Sequence, residues 1–242
     1  MTVFLRLVSN EWIKLQKWLV LVLLVVGPIF SVIPSLTMDH SSTEANQLLM
    51  AYSTAVLQYA WIFFPILTGV FAALICRYEH INGGWKQLLV QPVSRSQIYL
   101  AKVFLLLLFT ATSQIFFVSA FLVGTWWYGI GDSISWEIII RSAISGWLAV
   151  LPLAALQLWI SFLWRSFGVP FAINIALALP SILAAQSETF GPYYPWAQPM
   201  LAMVPSEGDI LDASIKVWVI LVGILIAGIG GWLHFIRRDM EW

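Results

Sequence analysis

Charged residues fall along this chain in clusters, and the stretches between them are long and apolar. Six runs lack Asp, Glu, Lys and Arg: residues 18–38, 45–76, 103–131, 142–164, 166–187 and 217–236, of 21, 32, 29, 23, 22 and 20 residues. A helix needs about 20 apolar residues to cross the hydrocarbon core of a bilayer. Each run is long enough, so the pattern predicts six spanning helices at about 18–37, 53–76, 103–127, 140–163, 167–186 and 215–236. A seventh uncharged run, 189–206, contains Pro192, Pro195, Pro199 and Pro205. Each proline removes a backbone donor, which excludes a lipid-exposed spanning helix there. Residues 188–213 therefore read as an outer loop or re-entrant segment.

Ahead of the first span, residues 3–17 carry Arg6, Asn10, Lys14 and Lys17 on one stripe and Phe4, Val8, Trp12 and Leu15 on another. That pattern predicts an amphipathic helix in the headgroup layer, with Arg6, Trp12, Lys14 and Lys17 at the membrane interface. Residues 77–102, "RYEHINGGWKQLLVQPVSRSQIYLAK", form a polar island between spans 2 and 3. Gly83-Gly84 breaks any helix leaving the membrane. "WKQLL" then predicts a short helix with Trp85, Leu88 and Leu89 on one side, and Pro92 ends it. Ser94 and Gln97 have the spacing of a capping box at the start of the next helix. The island reads as a jointed, stiff element. At the opposite end, Trp126, Trp127, Tyr128, Trp136, Tyr193, Tyr194 and Trp196 read as an interfacial aromatic belt or as contacts for an amphipathic substrate.

Composition narrows the class. Of 242 residues, 60% are hydrophobic and 10% charged, against about 25% charged in soluble domains. One all-α transmembrane domain over 1–242 follows. With the N-terminus in the cytoplasm and six alternating spans, the inner segments hold Arg6, Lys14, Lys17, Arg77, Lys86, Arg95, Lys102, Arg165, Arg237 and Arg238. The outer segments hold only Arg141 and Lys216. This bias predicts both termini inside and the island facing the cytoplasm. The formal net charge of zero gives no reason to expect nucleic acid. Cys76 alone cannot form an internal disulfide, and His40, His80 and His234 lack metal-ligand spacing.

The sequence has no phosphate-binding G-x-x-x-x-G-K-[ST], no H-E-x-x-H and no G-x-S-x-G. The span centres carry amides and hydroxyls, among them Gln58, Gln114, Gln157 and Asn174, instead of ionisable groups. Ion-coupled transporters hold their coupling ion with ionisable groups at membrane depth. If a chain without them moves cargo, the energy most simply comes from outside the membrane, and its amides read as interhelical glue.

Glu79, Gly83 or Gly84, Leu88-Leu89, Pro92-Val93-Ser94-Arg95 and Lys102 together resemble the loop between spans 2 and 3 of type-2 ABC transporter permeases. The whole layout fits that resemblance, and the chain's size is similar to permeases of lantibiotic-immunity exporters, the MutE/EpiE/SpaE group. The resemblance implies a membrane subunit of an ATP-driven exporter, in a bacterial plasma membrane, that expels a lantibiotic or a similar membrane-active peptide. It implies no catalytic site and no cofactor on this chain, with ATP and Mg bound by a separate dimeric ATPase. It implies a second permease, identical or paralogous. Glu79, Gly83, Gly84, Trp85, Lys86, Leu88, Leu89, Pro92 and Arg95 become the ATPase-coupling residues, with Trp85, Leu88 and Leu89 as anchors and Lys86 and Arg95 as orienting charges. Other readings are the same machine carrying a drug, lipid-linked compound or ion, an intramembrane enzyme, and a non-transporting sensor or assembly partner.

Overall fold

The computed structural model describes residues 3–37, 44–81, 84–85, 92–129, 136–205 and 213–237. Among these the fold is all helical. Helix α1 (Val3–Lys14) turns through Leu15-Gln16 into α2 (Lys17–Thr37). Helix α3 (Glu44–Gln58) continues through a π turn (Tyr59–Phe63) into α4 (Phe64–Arg77). Then come α5 (Arg95–Tyr128), α6 (Trp136–Leu163), α7 (Gly168–Ala178) and α8 (Ser181–Ala185). A 3₁₀ turn (Gly191–Tyr193) and α9 (Gln198–Met203) follow, and α10 (Ala213–Ile224), a π turn (Leu225–Ile229) and α11 (Gly230–Arg237) close the chain.

Among the described residues, five helical stretches are long and apolar enough to cross a membrane: Lys17–Thr37, Gln47–Arg77, Arg95–Tyr128, Trp136–Leu163 and Val217–Arg237. The run at 166–187 departs from the expected single span. Helix α7 has 11 residues, a rise of about 16 Å and so about half of the hydrocarbon core. A two-residue turn at Leu179-Pro180 separates it from α8. Pro180 has no N–H to continue the ladder, and its ring crowds the carbonyl one turn earlier. Charge counting cannot see that break.

The π turn at 59–63 has a related cause. Pro65 sits in the first turn of α4, and a tight α turn would drive its ring into the carbonyl of Trp61. The wider turn relieves that contact. Beside it, Asn174 of α7 donates from Nδ2 to the carbonyls of Pro65 and Ile66 at 3.1 and 3.2 Å. Its Oδ1 accepts from Gln157 Nε2 at 2.9 Å and from Trp196 Nε1 at 2.8 Å. One buried amide thus ties α4, α6, α7 and the segment before α9. Gly69 makes room for it, since a Cβ there would collide with the Asn174 side chain. Gly69→Ala is therefore expected to destabilise the protein by about 1–3 kcal/mol, read as a lowered thermal midpoint in detergent.

Among the described residues, apolar side chains gather into two cores. One includes Tyr52, Tyr59, Phe117, Phe121, Trp196 and Met203, and the other includes Phe71, Trp85, Tyr99, Phe109, Phe162 and Phe235. Around the first, the proline-rich segment folds back as the short α9 against α6. Ser142 Oγ donates to the carbonyl of Met203 at 2.6 Å, and Ser145 Oγ donates to that of Ala202 at 2.7 Å. Those hydroxyls satisfy the last carbonyls of α9, the condition for irregular backbone inside a bundle at membrane depth. The second core lies under the polar island.

Candidate functional site

Helix α4 ends at Arg77, and the chain turns sharply through 78–81. His80 N–H donates to Arg77 O and Ile81 N–H to Tyr78 O. Gly84 N–H reaches Ile81 O at 3.1 Å, and Trp85 N–H returns to Glu79 O, also at 3.1 Å. A Cβ at Gly84 would lie 2.8 Å from the Glu79 Cα and 3.0 Å from the Tyr78 carbonyl. Both are backbone atoms that cannot step aside, so only glycine permits this fold-back. Its consequence is that the Glu79 carboxylate and the Trp85 indole both point into the bundle.

Inside, Glu79 meets three other ions. Lys14 Nζ lies 2.6 Å from Glu11 Oε1 and 2.7 Å from Glu79 Oε1. Lys102 Nζ lies 2.5 Å from Glu11 Oε2 and 2.9 Å from Glu79 Oε2. Each carboxylate bridges both ammoniums, so the four charges close a ring and sum to zero. Lys102 is fully buried, with Glu79 at 1% and Glu11 at 4% exposure. Burying a lone charge is prohibitive, and burying a paired, hydrogen-bonded one is tolerable. Lys102 also donates to the Ile75 carbonyl at 2.9 Å, filling an acceptor left open at the end of α4. Burial works to raise the Glu79 pKa, and Lys102 and Lys14 overcome it, so the net shift is downward. The quartet joins α1, the foot of α4 and the start of α5.

A second set of contacts holds Trp85, which is 2% exposed. Its ring meets Phe162 and Phe235 edge-on at 5.7 and 5.6 Å, and Lys102 Nζ sits 5.6 Å from the indole centre. Trp85 Nε1–H donates to His80 Nδ1 at 3.2 Å, which leaves the ring proton on Nε2 to donate to Ser161 O at 2.8 Å. This chain of bonds requires a neutral imidazole, because a protonated His80 has no acceptor for the indole. Burial pushes the His80 pKa below its ordinary 6.5; the positive charges of Lys102 and Arg165 act with it, against Ser161 O and Glu79. As pH falls, the unfolded chain takes up this proton first. Its stabilising contribution is thus complete above 6.5 and is lost as pH drops through the folded-state value. A thermal midpoint that declines on acidification from 6.5, and a flatter profile for His80→Gln, are the expected outcome. Glu79, shifted down from 4.5, contributes above that value and loses its share only below it.

The helix after the island begins as the sequence predicts. Ser94 Oγ accepts from Gln97 N–H at 3.3 Å, and Gln97 Oε1 accepts from Ser94 N–H at 3.4 Å. Arg95 donates to the carbonyl of Ile236 at 2.8 Å, placing a cation at the C-terminal end of α11. The same end of the bundle therefore gathers α1, the foot of α4, the start of α5, the end of α6 and the end of α11.

A family model described as ABC-2 family transporter protein matches residues 7–181, a stretch holding all four quartet residues. The chain belongs to the ABC-2 transporter family. No match was found among curated proteins or among solved structures. Membership makes this ABC-2 protein a permease subunit of an ABC transporter and a multi-pass membrane protein that works with an ABC ATPase.

Several expected roles change in this ABC-2 protein. Trp85, expected as a partner-facing anchor, is buried in its own bundle. Lys14, expected among headgroups, turns inward to Glu11 and Glu79, while Arg6, Trp12 and Lys17 stay exposed. Pro92 is exposed and Arg95 half-buried; Gly83, Lys86, Leu88 and Leu89 lie outside the described residues. Among the aromatics, Trp126, Trp127, Tyr128, Trp136 and Tyr193 are exposed, Trp126 by 80%. Trp196 is buried on Asn174, and Tyr194 donates from its hydroxyl to Leu177 O at 2.6 Å. Trp196 is therefore part of the core, while Tyr194 stays half-buried with its hydroxyl occupied. Glu11 is the participant that sequence reading passed over. A single acid among the basic residues of α1, matched to the lone acid Glu79 and to Lys102, was the available signal.

Proposed function

We propose that this chain is the membrane subunit of an ATP-driven exporter that expels a lantibiotic or similar membrane-active peptide from a bacterial plasma membrane. In this reading the bent α7–α8 pair supplies a sixth crossing, both termini lie in the cytoplasm, and α1 rests in the headgroup layer. The chain carries no catalytic site of its own. ATP and Mg bind a separate dimeric ATPase, and a second permease, identical or paralogous, completes the transporter.

The buried ion quartet is the observation that supports this most. An island that meets an ATPase can move the spans only if its attachment to them is stiff. Glu79 and Trp85, on the island's first turn, are locked to α1, α5, α6 and α11 by charge and packing. Leu88 and Leu89 are then the contacts offered to the ATPase, with Lys86 setting orientation by charge. The exposed Trp126, Trp127, Tyr128, Trp136 and Tyr193 support an outer route for an amphipathic cargo.

Expression with its ATPase in a sensitive strain, challenged with a panel of lantibiotics and with bacitracin, tests the reading. Protection against a lantibiotic that disappears in an ATPase-dead strain is expected, and no protection against any of them refutes the cargo. Trp126→Ala with Trp127→Ala is expected to cut that protection roughly tenfold at unchanged protein level, the scale of a lost aromatic contact. Unchanged protection would assign both to the interfacial belt.

A further inference from the structure

The first turn of the island is held in two halves by different chemistry. Toward α1 and α5 the hold is ionic, with Glu79 bridging Lys14 and Lys102. Toward α6 and α11 it is a relay. His80 Nε2–H donates to Ser161 O, His80 Nδ1 accepts from the Trp85 indole, and that indole packs on Phe162 and Phe235. An indole N–H can only donate, so the relay works only with Nδ1 bare. A second proton on the ring sets two N–H groups against each other. It also adds a fifth charge beside a quartet that already sums to zero. The charged groups acting on His80 are Glu79 in its own turn, Lys102 of α5 and Arg165 just beyond α6. From α1, Lys14 and Glu11 act through the ion pairs they share with Glu79 and Lys102, and α11 reaches the relay through the apolar Phe235. The single acid of the first three is already shared by two ammoniums. Among the described residues, a charged His80 therefore finds no counter-ion of its own. Water is the remaining partner, and it is close, since His80 is half-buried in a turn where Tyr78 and Ile81 are exposed.

We propose that His80 is a pH-operated latch on the island. Neutral, it fastens the island's first turn to α6 and α11. Protonated, it swings out to water and lets that half go, while the ion quartet keeps the other half on α1 and α5. A ring released to water regains its ordinary affinity for the proton, so the open form gains ground as pH falls below 6.5. The ionic half outlasts it, because Glu79 holds its charge to below 4.5. Acid therefore loosens one side of the joint before it dissolves the other. On the reading of residues 77–102 as the ATPase contact, from which this consequence follows, acidification of the cytoplasm slackens the element through which the permease is driven.

The test follows hydrogen exchange of the purified full chain in lipid nanodiscs on both sides of the histidine range, corrected for the intrinsic pH dependence of exchange. Between about pH 7.5 and about pH 5.5, protection of the peptide spanning 77–85 should fall roughly tenfold, while the core around Tyr59 and Phe117 keeps its protection. His80→Gln offers one acceptor and one donor but takes up no proton, so it should lose this step. His80→Asn does the same if the glutamine variant misfolds. Equal protection of the wild-type peptide at both values, or a step of the same size in a folded His80→Gln, would overturn the latch. This readout needs no ATPase, so it fails or succeeds apart from the ATPase reading. Capture of the ATPase by the same chains tests the consequence. The wild type should retain less at the lower pH than His80→Gln does, and a loss of equal size in both would overturn the regulatory role.

Discussion

Lys102→Met should cost about 3–5 kcal/mol, the usual penalty for breaking a buried ion pair from one side. The substitution removes one of two cations and leaves Glu11 and Glu79 facing each other with Lys14 alone. Both carboxylates are almost fully buried, so water cannot compensate, and one must take up a proton to stay inside. The Ile75 carbonyl loses its donor in the same step. Against a typical total stability of about 5–15 kcal/mol, this is a large share. The charge argument carries its own control. Glu79→Gln in the Lys102→Met background restores neutrality, so the double variant should be more stable than Lys102→Met alone. Thermal midpoints of the two single variants and the double variant, in one detergent, give the coupling. Strict additivity would show that the four ions do not act as a unit.

Trp85→Ala should be nearly as damaging, at about 3–5 kcal/mol, because it leaves a cavity between Phe162, Phe235 and Lys102. Its effect should also be local. With the indole gone, His80 loses its donor, and the turn at 78–81 keeps only the Glu79 ion pairs, the His80–Ser161 bond, the Lys14 contact with the Tyr78 ring and its backbone bonds. Hydrogen exchange in the peptide spanning 77–92 should accelerate, while the core around Tyr59 and Phe117 stays protected. Trp85→Phe keeps much of the packing and loses the N–H, so it should cost about 1 kcal/mol beyond the lost volume. If Trp85→Ala left both stability and exchange unchanged, the island would not be anchored through this residue.

The two variants also show what the sequence could and could not say. Helix content, the long spans and the capping box at Ser94 follow from run length and local chemistry, and these are visible one segment at a time. The break at Leu179-Pro180 is local too, yet the absence of charge in 166–187 masked it. Orientation of individual side chains on α1 was not legible, because a helix with two plausible faces is decided by what it packs against. Lys14 and Glu11 turn inward only because Glu79 and Lys102, 65 or more residues away, supply opposite charge. Trp85 misled for the same reason: an aromatic beside Leu88 and Leu89 reads as an exposed anchor until Phe162 and Phe235 are seen around it. Asn174 was legible as glue in kind, though not in its partners.

Capture of the ATPase from membranes by the tagged chain bears most directly on the role of the island. The wild-type chain should retain a protein with a phosphate-binding P-loop, and Leu88→Asp with Leu89→Asp should lose it at equal abundance and thermal stability. Lys102→Met with Glu79→Gln, which alters the clamp and leaves those leucines in place, should retain the partner but lose cargo-stimulated ATP hydrolysis. An ATPase held as firmly by the double-aspartate variant as by the wild type would contradict the assignment of residues 77–102 as the contact through which this permease is driven.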